Sequence, residues 1–296
     1  MINWRVASVP ALKSNSLAVL RGLPIGLPSS IPFPRARTTA RSVPWGWADL
    51  GRVALMTALI GVGGAFALVL LALALSIGFT LAEGFGGVPS GSFDHLSALF
   101  GPYSAAATTL LVGGLLYGAL AFAVVRYSIA RYSLPWSALG FRRLSRGTLG
   151  RTAALFLPIT VGGVLIMRVE TVLLGSLPAN PQPALLTRGM PALPTNFLLL
   201  FLLLVVITPI AEEMFFRGFL YRLLRGHFPV WAAAPISAAV FAAMHGVPSL
   251  FPWLFYMGVV YATLAERTGS LWASILVHAM ANGLVTLTLI VVLSGW

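Results

Sequence analysis

Long apolar stretches without charged residues are the feature that most constrains what this chain can fold into. Only 9% of its 296 residues are charged and its mean hydropathy is +0.91, whereas soluble domains carry about 25% charged residues. The stretches are long enough to cross a hydrocarbon core of roughly 30 Å, which takes about 20 helical residues. We therefore predict an all-α fold, a polytopic transmembrane helical bundle.

The hydropathy pattern predicts seven spans, within a range of six to eight. They cover about 53–82, 104–125, 152–175, 196–220, 230–247, 250–265 and 271–293. The fifth and sixth spans are short, and the link between them is tight. This pair could therefore form two full spans or a partly re-entrant hairpin.

The basic residues lie on alternate loops. Of the 19 Lys and Arg residues, 16 fall on one side of the predicted spans and two on the other, and Arg217 lies within span 4. Because basic loops stay cytoplasmic, the N-terminus is predicted to be cytoplasmic. The loop asymmetry also accounts for the net charge of +12, so no nucleic-acid partner is expected.

The first 50 residues differ from the rest in composition. They combine basic residues with many Pro and Ser, and they show no pattern of a cleaved signal. We predict that 1–50 form a cytoplasmic tail that lies on an anionic membrane surface. The expected location is a bacterial inner (plasma) membrane, with membrane lipid as a partner of the bundle.

Two adjacent carboxylates interrupt span 4. The chain has seven acidic residues, of which only Glu212 and Glu213 lie well inside a predicted span. A carboxylate in the membrane interior costs several kcal/mol, so it usually faces a wet cavity or a partner. Arg217 follows Glu213 by four residues, so the two share a helical face and could form an ion pair. Glu212 projects about 100° away around the helix, and we predict a functional role for it.

Two of the four histidines, His245 and His278, also lie in predicted spans. Phe241 precedes His245 by four residues and Asn282 follows His278 by four, so each pair shares a helical face. A lone histidine or asparagine in a membrane helix is often only an interhelical hydrogen-bond donor. Two histidines in a chain with one buried carboxylate pair instead indicate a functional constellation.

These groups suit hydrolysis by an activated water. A carboxylate in a low-dielectric cavity can act as a general base, an imidazole can share the proton, and a second His with an Asn can stabilise an oxyanion. Glu212, His245 and His278 could equally hold zinc. The residues alone do not distinguish a metal-free site from a metal-bound one. The chain has no cysteine, which excludes thiolate nucleophiles and cysteine metal ligands.

Taken together, the three motifs resemble those of the CPBP family, which covers type II CAAX prenyl proteases and the bacteriocin-processing or immunity proteins of the ABI family. The family pattern is EExxxR, then FxxxH, then HxxxN or HxxxD, on separate membrane helices. The matching segments are Glu212-Glu213-Met-Phe-Phe-Arg217, Phe241-Ala-Ala-Met-His245 and His278-Ala-Met-Ala-Asn282. The resemblance covers about 195–290.

The resemblance implies an intramembrane endopeptidase with its catalytic core at 196–296, preceded by N-terminal transmembrane helices at 51–195. In such an enzyme Glu212 would activate the water with help from His245, while His278 and Asn282 would hold the oxyanion or help to bind a metal. The neighbouring Glu–Arg pair would order the site. The implied catalytic residues are Glu212, Glu213, His245, His278 and Asn282, supported by Arg217 and Phe241.

The expected substrate is a membrane-associated peptide or a lipidated, CAAX-type protein. Eukaryotic relatives remove the last three residues of prenylated CAAX proteins, but many bacterial relatives lack such a substrate. Two other functions compete: a non-catalytic immunity or scaffold protein, and a proton-coupled transporter. A transporter predicts an inverted repeat with broken helices, which the sequence does not show. A scaffold predicts lost motif residues, and none is lost.

Overall fold

The computed structural model describes residues 43–175, 191 and 193–294. All regular elements within these residues are helical, which confirms the all-α prediction. Six of the described helices are long and apolar enough to cross a membrane. The chain is therefore an integral membrane protein, and the count lies within the predicted range.

We number the helices α1 to α7 over the described residues. Their bounds are α1 Trp47–Gly84, α2 92–130, α3 146–174, α4 Pro194–Arg225, α5 Val230–Met244, α6 Phe251–Thr268 and α7 Leu271–Ser294. Short 3₁₀ turns at Trp136–Ala138 and Pro248–Leu250 precede α3 and α6. Most helices extend several residues beyond the predicted apolar spans, because the helical backbone continues past the purely hydrophobic stretch.

Helix α5 differs from the other six in length. Its 15 residues extend about 22 Å at 1.5 Å per residue, less than the roughly 30 Å of a hydrocarbon core. It packs closely on α6, where a Cβ added to Gly258 would lie 2.8 Å from the Cα of Ala238. The predicted fifth and sixth spans thus form a tight hairpin with one short arm.

The basic tail predicted over 1–50 lies mostly outside the described residues. The described part shows that α1 begins at Trp47, ahead of the predicted span, because Asp49 caps the helix start. Its carboxylate accepts hydrogen bonds from the N–H of Gly46 at 3.1 Å, from Arg52 at 2.8 Å and from the Tyr132 hydroxyl at 2.7 Å. This nearly buried carboxylate therefore joins the start of α1 to the end of α2.

Helix α4 is the central element of the bundle. It contacts α2, α5, α6 and α7, and every residue from Met214 to Leu220 is buried. By contrast, the segment Gly63–Gly84 of α1 contains no buried residue. The helix that carries the carboxylate pair is thus enclosed by protein, while the outer part of α1 exposes its apolar side chains.

Two π-helical turns, Leu202–Ile207 and Met214–Leu220, flank the segment Thr208–Glu213 of α4. Turns of this kind are rare and often occur at functional sites. The first one precedes Pro209, which has no N–H and cannot continue regular helical hydrogen bonding. Local sequence therefore accounts for the first π-helical turn, just before the segment that carries the two glutamates.

Candidate functional site

A cavity of about 720 Å³ lies among α2, α4, α5, α6 and α7. Most of its lining is aliphatic or aromatic, which is typical of ligand sites that use a few placed polar groups. The titratable and amide side chains in the lining are those of Tyr117, Glu212, His245, Tyr261, His278 and Asn282. Four of the five predicted catalytic residues therefore border one space.

Glu212 is 6% exposed and projects from α4 toward the cavity. The hydroxyl of Tyr117 on α2 donates a hydrogen bond to its Oε1 at 3.0 Å. Its Oε2 has no hydrogen-bond partner among the described residues. One carboxylate oxygen is therefore fixed, and the other is available to accept a proton from a bound molecule.

Glu213 and Arg217 form a fully buried ion pair behind the cavity wall. The Nη1 of Arg217 donates to Oε1 of Glu213 at 2.7 Å, and both side chains are 0% exposed. The Nη2 of Arg217 donates to the carbonyl of Gly258 on α6 at 3.2 Å. The predicted shared helical face is confirmed, and the pair also connects α4 to α6.

Three aromatic rings surround the Arg217 guanidinium. Its Cζ lies 4.6 Å from the ring centre of Phe241, 5.0 Å from that of Tyr261 and 5.6 Å from that of Phe216. Cation–π attraction of this kind strengthens when the cation is desolvated. Phe241 also meets the His245 ring edge to face at 4.7 Å, so it joins the ion pair to the cavity.

His278 on α7 lies between the two glutamates. Its Nδ1 is 3.0 Å from Oε1 of Glu213, and its Nε2 is 3.7 Å from Oε2 of Glu212. The ring stacks on Tyr261 with centroids 4.8 Å apart and planes 17° apart. Because Glu213 accepts from Nδ1, Nε2 is the nitrogen that faces Glu212, at a distance longer than a direct hydrogen bond.

His245 follows the last residue of α5 and is half-buried at the cavity. Its Nδ1 is 2.8 Å from the carbonyl of Phe241, which can only accept. The ring therefore carries its N–H on Nδ1, and in the neutral form its lone pair is on Nε2. That tautomer allows the ring to receive a proton at Nε2.

Asn282 on α7 contacts the interrupted part of α4. Its Nδ2 donates to the carbonyl of Leu204 at 2.8 Å. The N–H of Thr208 bonds to the carbonyl of Leu203, five residues back, and the same register would pair Leu204 with Pro209, which has no N–H. Asn282 therefore supplies the donor that the proline cannot.

The described residues contain no group of three or more His, Cys, Asp or Glu side chains arranged to hold a metal ion. Glu212, His245 and His278 border the same cavity, and their use as zinc ligands stays a prediction. The donor types are ones that zinc accepts.

Tyr117 is a site residue that the sequence did not reveal, since 1–150 carry no recognised motif, and Tyr261, which stacks on His278, is another. A signal was nevertheless present. Tyrosines of membrane helices concentrate at the interfaces, but Tyr117 lies in the middle of α2, where its hydroxyl needs a partner. In a chain with a buried glutamate, that glutamate is a candidate partner for the hydroxyl of a mid-span tyrosine.

Comparison with known proteins supports the resemblance seen in the motifs. Residues 194–284 match the family model described as Type II CAAX prenyl endopeptidase Rce1-like, and this segment includes all seven predicted site residues. A curated protein of Escherichia coli, an uncharacterised 24.3 kDa protein, is 26% identical over 143 residues, which are 46% of this chain and 65% of that protein. The chain thus spans about two thirds of the length of this relative. No solved structure matches.

Proposed function

We propose, starting from the match of residues 194–284 to the Rce1-like family model, that this chain is an intramembrane endopeptidase. It hydrolyses a peptide bond of a membrane-associated substrate, with a lipidated, CAAX-type protein as the first candidate. The observation that carries the proposal is a largely apolar cavity of about 720 Å³ whose wall holds a buried carboxylate and two imidazoles.

Glu212 acts first, as the general base. A water in the cavity donates a hydrogen bond to Oε2, and the carboxylate takes its proton as the water oxygen attacks the carbonyl carbon of the scissile bond. General bases of this kind contribute about 10²- to 10⁴-fold in rate. The buried position supports the role, because a site that excludes bulk water strengthens its electrostatic interactions.

The tetrahedral intermediate carries a negative oxygen that needs donors. The second amide N–H of Asn282 and, in its protonated form, the Nε2 of His278 can provide them. The intermediate then collapses as the carbon–nitrogen bond breaks. The proton held by Glu212 passes to the leaving amine, directly or through Nε2 of His245, and the products are a carboxylate and an amine.

The ion pair of Glu213 with Arg217 orders this machinery without touching the substrate. Glu213 accepts from Nδ1 of His278, which fixes the ring orientation, much as carboxylates orient histidines in other active sites. Arg217 neutralises Glu213 and so reduces the cost of a second carboxylate beside Glu212.

The test is cleavage of lipidated and plain peptide libraries by purified protein in lipid vesicles, followed by mass spectrometry. We expect Glu212→Gln to lower kcat at least about 10²-fold, because glutamine has nearly the same side-chain shape but cannot act as the base. The matched control is Glu83→Gln, the same change at the end of α1 and outside the cavity lining, and it should cleave like the wild type.

Two outcomes would overturn the proposal. Equal cleavage by the wild type and Glu212→Gln would show that another site or a contaminant is responsible. No cleavage of any library by the wild type would favour the immunity or scaffold alternative. Repeating the assay with a chelator tests the zinc prediction, because loss of activity and its return with added zinc would support a metal.

A further inference from the structure

The hydroxyl of Tyr117 lies within hydrogen-bonding distance of Glu212, at 3.0 Å from Oε1. It comes from α2, outside the segment that matches the peptidase family. His278 also faces Glu212, but at 3.7 Å from Oε2. The two oxygens of the carboxylate are thus distinguished by their surroundings.

A carboxylate with one fixed oxygen loses much of its freedom to rotate. The hydrogen bond from a phenol to a carboxylate is charge-assisted and stronger than a neutral one. It holds Oε1 on the side of α2 and leaves Oε2 on the side of His278.

We propose that Tyr117 is a positioning residue for Glu212, which holds Oε1 on the side of α2 and turns Oε2 toward the reacting water. The inference rests on the proposed function for its catalytic consequence, but not for its effect on Glu212 itself. It also means that α2, which has no recognised motif, contributes to the site.

Other titratable groups surround Glu212 and must stay in place for the test. They lie on α4, α5, α6 and α7, and comprise Glu213, Arg217, His245, Tyr261 and His278. Removing only the hydroxyl of Tyr117 leaves all of them unchanged. The matched control is Tyr256→Phe, because the Tyr256 hydroxyl bonds to the carbonyl of Ile159 at 3.1 Å and does not line the cavity.

The first measurement is steady-state cleavage by the wild type, Tyr117→Phe, Tyr256→Phe and Glu212→Gln. We expect Tyr117→Phe to lower kcat about tenfold with KM unchanged within about twofold, since the lost interaction acts on the base and not on substrate binding. Tyr256→Phe should match the wild type. Equal kcat for Tyr117→Phe and the wild type, with Glu212→Gln inactive, overturns this inference and leaves the proposed function standing.

The second measurement needs no substrate. A hydrophobic carbodiimide reacts with carboxyl groups that it can reach within the membrane, and its attachment to Glu212 or Glu213 can be distinguished by fragmentation mass spectrometry. We expect Tyr117→Phe to label Glu212 about tenfold faster than the wild type at pH 7, because the carboxylate is no longer held toward α2 and turns more freely to the reagent in the cavity. Labelling of Glu213, which keeps its bond to Arg217, should not change.

The labelling result stands whether or not a substrate is found. Equal labelling of Glu212 in Tyr117→Phe and the wild type, including none in either, overturns the inference. Faster labelling in Tyr256→Phe as well would also overturn it, because the effect would then come from loosened packing. Labelling confined to Tyr117→Phe supports the role even if the proposed peptidase activity fails its own test.

Discussion

Helices α1 and α4 are both apolar enough to cross a membrane, but they use that property differently. In the most apolar 18-residue stretch of α4, 44% of the residues are buried within the bundle, against 6% in α1. The apolar residues of α1 mainly face outward, where any similar side chain would serve. Those of α4 enclose two carboxylates and a guanidinium, so their positions are fixed by packing.

Helix α2 is intermediate between these two. It packs along α4 and places Tyr117 against Glu212, but it lies outside the matched segment at 194–284. The limits of a recognisable motif are therefore not the limits of the site. Burial within the bundle thus increases from α1 through α2 to α4. We expect the loss of stability or activity caused by a substitution to increase in the same order.

The largest difference is expected for two ion pairs of nearly equal length. Arg217 bonds to Glu213 at 2.7 Å with side chains 0% exposed, and Arg52 bonds to Asp49 at 2.8 Å with the Arg52 side chain 43% exposed. We expect Arg217→Met to lower the free energy of unfolding by about 3–5 kcal/mol, because it leaves a buried carboxylate unpaired. Arg52→Met should cost less than about 1 kcal/mol. Reversible unfolding in mixed detergent micelles measures both.

A small loss in Arg217→Met would contradict the contrast. It would mean that Glu213 takes up a proton or is reached by water, so that α4 is less enclosed than its burial indicates. A further variant separates these causes, since Glu213→Gln with Arg217→Met removes both charges and should recover part of the lost stability.

Much of the arrangement could be predicted from the sequence. The spacing of four between Glu213 and Arg217 places them on one face whatever surrounds the helix, and the same spacing pairs Phe241 with His245 at 4.7 Å. Local periodicity is sufficient for such pairs. The segment that holds all three motifs also matches the family model described as Type II CAAX prenyl endopeptidase Rce1-like.

The contacts between helices could not be predicted in this way. The bond of Tyr117 to Glu212 joins residues 95 apart in the chain, and that of Asn282 to Leu204 joins residues 78 apart. Nothing in either helix alone specifies such a partner. The two π-helical turns of α4 were also missed, because a shift of hydrogen-bond register leaves no apolar periodicity to detect.

Two glycines offer a smaller test of the same contrast. A Cβ added at Gly258 on α6 would lie 2.8 Å from the Cα of Ala238 on α5, whereas one added at Gly78 on α1 meets nothing within 4 Å. We expect Gly258→Ala to cost about 1–3 kcal/mol and to lower cleavage, because α5 and α6 must separate and the Gly258 carbonyl binds Arg217.

Gly78→Ala is the matched control and should leave unfolding and cleavage unchanged. Equal effects of the two substitutions would show that α1 is covered by a partner surface as tightly packed as α6. An unchanged Gly258→Ala would show that the α5–α6 hairpin adapts easily, which would weaken the case that it holds Arg217 in place.

The smallest expected effect decides what Asn282 does. Asn282→Ala should cost about 1 kcal/mol, because the Leu204 carbonyl loses its donor. Pro209→Ala restores a backbone N–H beside that carbonyl, so the double variant should lose less than the sum of the single changes, by about 0.5–1 kcal/mol. Asn196→Ala, which removes a donor to the Pro102 carbonyl instead, should show no such coupling.

Measuring kcat for the wild type, the two single variants and the double variant separates the two roles of Asn282. If Asn282 donates to the oxyanion, Asn282→Ala lowers kcat equally with and without Pro209→Ala. If Asn282 only completes the hydrogen bonding of α4, the loss of kcat is smaller when Pro209 is replaced. Activity restored by Pro209→Ala would therefore assign Asn282 to the scaffold of the site, and activity lost in both backgrounds would assign it to the chemistry.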